Sequence, residues 1–159
     1  MQKITHLKPE EIQLLKHFNT KNKILSVFYY YWINASNPDE HYSFIDVIEF
    51  VFDDNSSLIF KLNDEDTGIA ITSEFEFEKY KASLQTEFLQ QIRLQKVEAT
   101  TLAIWKFALP NSFQEITAIR EKGHFLSTTF WIAFKSQKIE LNFHPIEGLV
   151  VTEYEEVLE

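Results

Sequence analysis

One phrase occurs twice in this chain, and that constrains its folding more than any other feature. Leu62-Asn63, four residues, then Gly68-Ile69-Ala70-Ile71-Thr72 recurs as Leu141-Asn142, five residues, then Gly148-Leu149-Val150-Val151-Thr152. Upstream, Ile24 and Trp32 are matched by Val97 and Trp105 at a common offset of 73, and Ser43-Phe44-Ile45-Asp46-Val47 is echoed by Ser112-Phe113-Gln114-Glu115-Ile116. Repeats govern a fold because each copy is a unit whose apolar face a neighbour can cover. Amphipathic meanders also resemble one another because few patterns suit them. Duplication and coincidence therefore both stand as readings of the sequence.

The local patterns give each copy a helix followed by a run of strands. Lys8-Pro9-Glu10-Glu11 opens a helix, with proline tolerated in the first turn and acids favoured at the N-terminus. Ile12, Leu15 and Phe18 follow at helical spacing, Leu7 and Leu14 widen that face, and residues 19–22 end it. Strands are expected at 24–33, 44–52, 58–62 and 69–72, separated by a loop at 34–41 and polar turns at 53–56 and 63–68. Tyr80, Leu84, Phe88 and Ile92 then predict a second helix over 76–94. Strands follow at 100–109, 113–121, 128–135, 139–143 and 149–154, the second copy carrying a longer hairpin.

A helix before a run of strands means α+β. The expectation is tandem α–β4 halves, pseudo-repeats 7–73 and 76–154, forming antiparallel sheet packed on two helices in one compact domain, 1–159. The two sheets could pair edge to edge or enclose their helices. The plan is similar, as a fold analogy alone, to small bacterial inhibitor proteins that grip an enzyme on a concave sheet. Such an analogy assigns no function.

Composition narrows the chemistry. The chain has 159 residues, a formal net charge of −9 and no cysteine. Its acidity disfavours nucleic acid, which needs a basic footprint. Lack of cysteine removes disulfides, thiolate metal sites and thiol catalysis. Residues 24–33 are the longest apolar run, too short to span a bilayer, and no signal peptide is visible at residues 1–16. The expected setting is the cytoplasm, with no membrane and no nucleic acid as partner.

Candidate sites are sparse. Asp53, Asp54, Asp64, Glu65 and Asp66 crowd two turns and could offer oxygen ligands, but without the spacing of a calcium loop they read as solvated turn residues. His41 and His144 have acids nearby (Asp39, Glu40, Glu147) and could serve as general bases, though turn histidines are the plainer reading. The aromatic ladder of residues 28–32 alternates faces: Phe28, Tyr30 and Trp32 on one side, Tyr29, Tyr31 and Ile33 on the other. If one face is core, the other leaves tyrosines for binding. The acidic end, Glu153 to Glu159, reads as a charged edge that discourages strand pairing.

These features point to a small soluble bacterial protein without catalysis, a binding or regulatory module. It would capture a basic protein partner, as immunity and inhibitor proteins do, on a surface including Tyr29, Tyr31, Asp53, Asp54, Asp64 and Asp66. The alternative is a small-molecule binder with an aromatic pocket in the curved sheet. No cofactor or metal is expected, and a homodimer through an edge or the tyrosine face is a further reading.

Overall fold

The computed structural model describes residues 6–18, 23–34, 42–63, 67–89, 91–106, 113–134 and 137–153. Helix α1 (Pro9–Phe18) precedes a meander of β1 (Ile24–Asn34), β2 (Tyr42–Phe52), β3 (Ser57–Leu62) and β4 (Ile69–Thr72). Helix α2 (Phe77–Glu87), β5 (Ile92–Glu98) and the one-turn α3 (Ala103–Lys106) follow. A second meander, β6 (Phe113–Glu121), β7 (His124–Phe134), β8 (Lys138–His144) and β9 (Gly148–Glu153), completes the order. None of the described helices is long and apolar enough to cross a membrane.

The nine strands among the described residues belong to one antiparallel sheet that forks at β2. One edge of β2 pairs with β1, which pairs on its far side with β5. The other edge of β2 serves two neighbours: Val47–Val51 bond β3, and Ile45 bonds Leu149 of β9. The branch β3–β4 and the branch β9–β8–β7–β6 therefore leave the same strand, and the sheet curls into a half-barrel. Across the curl Phe60 of β3 meets Phe130 of β7 edge to face at 5.2 Å between ring centres.

Gly148 makes the fork sterically workable. Its φ of +73° is one that side chains avoid, and a Cβ there would lie 2.5 Å from the Phe44 ring and 2.7 Å from the Ile45 carbonyl oxygen. Gly68, its counterpart in the repeated phrase, answers a different need: a Cβ there would strike Ser127 of β7 at 2.6 Å.

The concave face holds the main core, including Val27, Tyr29, Ile48, Phe50, Phe52, Leu58, Phe60, Trp105, Phe130, Ile132 and Leu141. Helix α1 bridges the mouth of the curl, burying Leu15 and Phe18 as its spacing predicts. Pro9 stands at its first position, and Glu11 reaches back so that Oε1 accepts the Lys8 backbone N–H at 2.9 Å, one arm of a capping box. Its other oxygen accepts the Ile71 N–H of edge strand β4 at 2.7 Å, while the Leu7 N–H donates to the Phe125 carbonyl of β7 at 2.9 Å. The helix and the segment that leads into it thus tie both branches together.

The second copy differs from its expected plan. The helix expected over 76–94 stops at Glu87, because Leu89 takes a left-handed φ of 51° and the chain turns back as β5. Ile92 satisfies both a helical spacing after Phe88 and a strand alternation with Leu94. Pairing along β1 from Phe28 to Asn34 selects the strand. The strand expected at 100–109 is instead a turn and α3, with residues 107–110 outside the described residues. Trp105 is fully buried there, and its indole N–H donates to the Tyr29 hydroxyl at 2.6 Å. Trp32 lies half-buried on β1 and faces the other side of the sheet. The two tryptophans are not equivalent; the antiparallel meander recurs and its helical surroundings do not. Both copies of the repeated phrase do form hairpins, but Leu62 pairs with Ile69 whereas Leu141 pairs with Val151, so the register differs.

Candidate functional site

Alternation along β1 holds as the sequence requires: Tyr29 and Tyr31 face the concave core, while Phe28, Tyr30 and Trp32 face outward. Tyr29 is only 4% exposed, so it belongs to the packed interior and is not part of an open tyrosine face. Burial pushes its hydroxyl up to about 12, although the Trp105 N–H favours the ionised form. Tyr31 is half-buried against the same core. Asp53 and Asp54 are exposed in the β2–β3 turn, where Asp54 Oδ1 accepts the Ser56 N–H at 3.0 Å and its Oγ–H at 2.5 Å. Asp54 thus builds the turn. Asp64, Glu65, Asp66, Asp39, Glu40 and His41 lie outside the described residues, as do residues 154–159 of the acidic end. His144 uses Nδ1 to accept the Ile146 and Glu147 N–H groups at 3.1 and 3.0 Å, which makes it a turn cap. No group of three or more metal-ligating side chains gathers among the described residues.

The outward face carries a different site. Helix α2 lies over β1, β2 and β3 and presses Leu84 onto Tyr30, Val47, Ile59, Ile92 and Leu94. The helix does not cover the whole face. A cleft of about 360 Å³ remains beside it, walled by Trp32, Phe44, Phe75, Tyr80, Leu84 and Phe88. Trp32 stacks on Phe44 at 4.9 Å and meets the Phe88 ring edge-on at 6.1 Å. A second cleft of about 490 Å³ shares Trp32, Phe44 and Leu62 and runs to Phe143 and the β8–β9 turn. There the Tyr42 hydroxyl donates to the Ile146 carbonyl and closes the far end.

The floor of the first cleft holds a buried acid. Asp46 is 5% exposed and its Oδ2 accepts the Tyr80 hydroxyl of α2 at 2.5 Å. A β-bulge places it there. Tyr30 pairs with Val47 and Tyr31 with Ile45, so Asp46 is the extra residue of β2. A bulge shifts the phase of alternation. Val47 and Asp46 can then both line the outer cleft although they are adjacent, while Ile45 and Ile48 face the core. Lys61 and Glu87 also line the cleft.

Beside the cleft lies a second, partly buried acid. Glu49 accepts the Tyr30 hydroxyl at 2.7 Å and the Ser57 hydroxyl at 2.9 Å, and Lys96 stands 3.8 Å away over the Phe28 ring. Burial and then Glu49 push the Tyr30 hydroxyl well above the ordinary tyrosine range.

Asp46 does not stand out as a site residue in the sequence. The signal was present as a lone acid within Phe44-Ile45-Asp46-Val47-Ile48, where strand alternation alone would have assigned it a face without showing the bulge. Comparison with protein-family models, with curated proteins and with solved structures finds no match for the chain.

Proposed function

We propose that this protein is a non-catalytic binding module that captures a basic protein partner, in the manner of an inhibitor or immunity protein, through the outer cleft beside α2. The observation that carries this reading is the buried Asp46 carboxylate at the base of an aromatic wall. Aromatic side chains supply contact area at low entropic cost, and a wall of them around a carboxylate favours a cationic anchor. The net charge of −9 acts at longer range, steering a basic partner and making its association salt-sensitive.

The test is titration of an isotope-labelled sample with a set of short basic peptides and their acidic counterparts. Basic peptides are expected to bind, more weakly at higher salt, and to move the Trp32 indole and Asp46 resonances. No binding, or shifts confined to the β6–β9 branch, overturns the proposal.

A second reading is favoured by size. The two adjoining clefts, about 360 and 490 Å³, fall within the range of small-molecule sites, roughly 300–1,000 Å³. An organic ligand retained in native mass spectrometry, and lost on Phe44→Ala, would favour this reading over capture of a protein.

A further inference from the structure

We infer that the two adjoining clefts form one trough that receives an amphipathic helix of the basic partner. This rests on the binding reading above and names the element recognised. Three observations converge on it. First, the clefts share Trp32, Phe44 and Leu62, so the hollow beside α2 continues to the β8–β9 turn. Second, exposed apolar side chains stand at both ends. Phe88 and its chain neighbour Leu89 are 38% and 82% exposed at the end of α2, while Tyr42 and Ile146 are 43% and 67% exposed at the other end. Large apolar side chains gathered around a hollow mark a surface that another molecule covers. Third, Leu89 follows the C-cap of α2 with a φ of 51°. Glycine or asparagine commonly fills such a position, because a Cβ disfavours it. A leucine held there with its side chain in solvent is not explained by packing within the chain.

The sheet decides the form of the occupant. Strand β1 is paired along both edges, and β2 is bonded to β1 on one edge and shared between β3 and β9 on the other. An extended segment lying on this floor would find no strand edge to bond, and its covered amides would go unsatisfied. A helix bonds its own amides and offers apolar side chains on one face, the mode in which amphipathic helices enter grooves. Trp32 and Phe44, stacked at 4.9 Å, line both clefts, so two apolar anchors of the helix straddle them. Charge sets the rest. Glu87 and Glu147 are exposed beside the apolar ends, and neither pairs with a base among the described residues. The last turn of α2 has no base either, so its carbonyl end adds to the negative field there. Lys61 lines the first cleft, away from these two acids in the sequence. The complementary helix carries basic residues toward both of its ends and apolar ones between them.

The experiment titrates the labelled full chain with a peptide of about 14 residues, roughly four helical turns, with leucines on one face and lysines and arginines toward both ends. One control has the same composition with the leucines scattered, a second has proline at its centre, and a third has glutamate in place of the basic residues. The parent peptide is expected to bind several-fold more tightly than each control, to gain helical circular dichroism, and to move the Trp32, Leu89 and Ile146 resonances. Equal binding of any control overturns the inference. If basic peptides bind whatever their pattern, the broader reading survives without the helix; if no basic peptide moves cleft resonances, both fail. Cleft shifts on concentrating the protein alone would make a second copy the occupant, and a retained organic molecule that the peptide cannot displace would make it a small ligand; either overturns the inference. Leu89→Gly should leave the fold intact, since glycine takes that φ without strain, and weaken the parent peptide several-fold. Ile146→Ser removes an exposed side chain at the other end and should do the same. Parent-peptide binding unchanged in both variants overturns the inference.

Discussion

The branch containing β1, β2 and β3 and the branch β6–β9 are both antiparallel meanders that contribute one face to the same core, yet their outer faces have opposite characters. On the first, α2 roofs an apolar, aromatic surface and leaves a cleft with an acid on its floor. On the second, the outer face is a polar ladder. Trp131 donates its indole N–H to Glu140 at 3.0 Å, Asn142 donates to Glu140 at 2.8 Å, and Thr129 donates to Asn142 at 2.7 Å. Lys138 lies over the Trp131 ring at 5.5 Å. A sheet face that water covers carries polar side chains, which bond one another and the solvent, whereas one roofed by a helix can be apolar and hold a chamber. The cleft therefore needs the helix as well as the meander, and among the described residues the branch containing β1, β2 and β3 has a helix over its outer face.

The largest effect should come from the core that the branches share. Phe60→Ala removes a fully buried ring that meets Phe130 across the curl, and should cost about 3–5 kcal/mol. Chemical denaturation followed by tryptophan fluorescence and by circular dichroism should remain a single coincident transition. Two separate transitions would mean that the branches fold independently, and the comparison would then describe two units.

Leu84→Ala attacks the roof alone. Leu84 is the one residue of α2 that is itself buried, and its truncation should cost about 2–3 kcal/mol. Amide exchange should quicken in α2 and β5 while β6–β9 stay protected. Uniform loss of protection would show that the roof supports both branches.

The pH dependence separates the two faces of β1. Tyr29 has its hydroxyl pushed from 10.0 up to about 12 by burial, so the folded state favours the neutral phenol. The stabilisation it contributes is present below pH 10 and is lost as pH rises from about 10 through 12, on the order of 2 kcal/mol. Tyr30, on the outer face, shifts in the same direction. Tyr29→Phe should flatten part of the alkaline fall in stability and Tyr30→Phe another part. An alkaline titration of unfolding free energy that is identical in all three proteins refutes this assignment.

A seam rather than a face is probed by Glu11→Gln. The substitution keeps the shape of the side chain but replaces one of its two acceptor oxygens by an NH2, so either the Lys8 or the Ile71 amide loses its acceptor, for an expected loss of about 1–2 kcal/mol. Smallest of all should be Glu140→Gln on the polar ladder, within about 0.5 kcal/mol of the original stability because the site is partly solvated. A large loss there would make the ladder a structural element in its own right and narrow the contrast between the branches.

Strand alternation, turn chemistry and the helix at Pro9 could be read from the chain because each is a local choice. Ile12, Leu15 and Phe18 can share only one face of a helix, and the residues of β1 can only alternate. The antiparallel meanders and the separation of Tyr29 and Tyr31 from Phe28, Tyr30 and Trp32 follow from such local rules. Competition between long-range partners settled the rest. Residues 92–98 became strand because β1 offered a free edge, and Trp105 entered a helical turn because Tyr29 and the core accepted it there. Asp46 became the floor of a cleft because a bulge and α2 met over it. A periodic pattern states which side chains must leave water together. It does not state which surface will receive them, because that depends on strand edges and helix faces far away in the chain, and only the folded sheet brings those together.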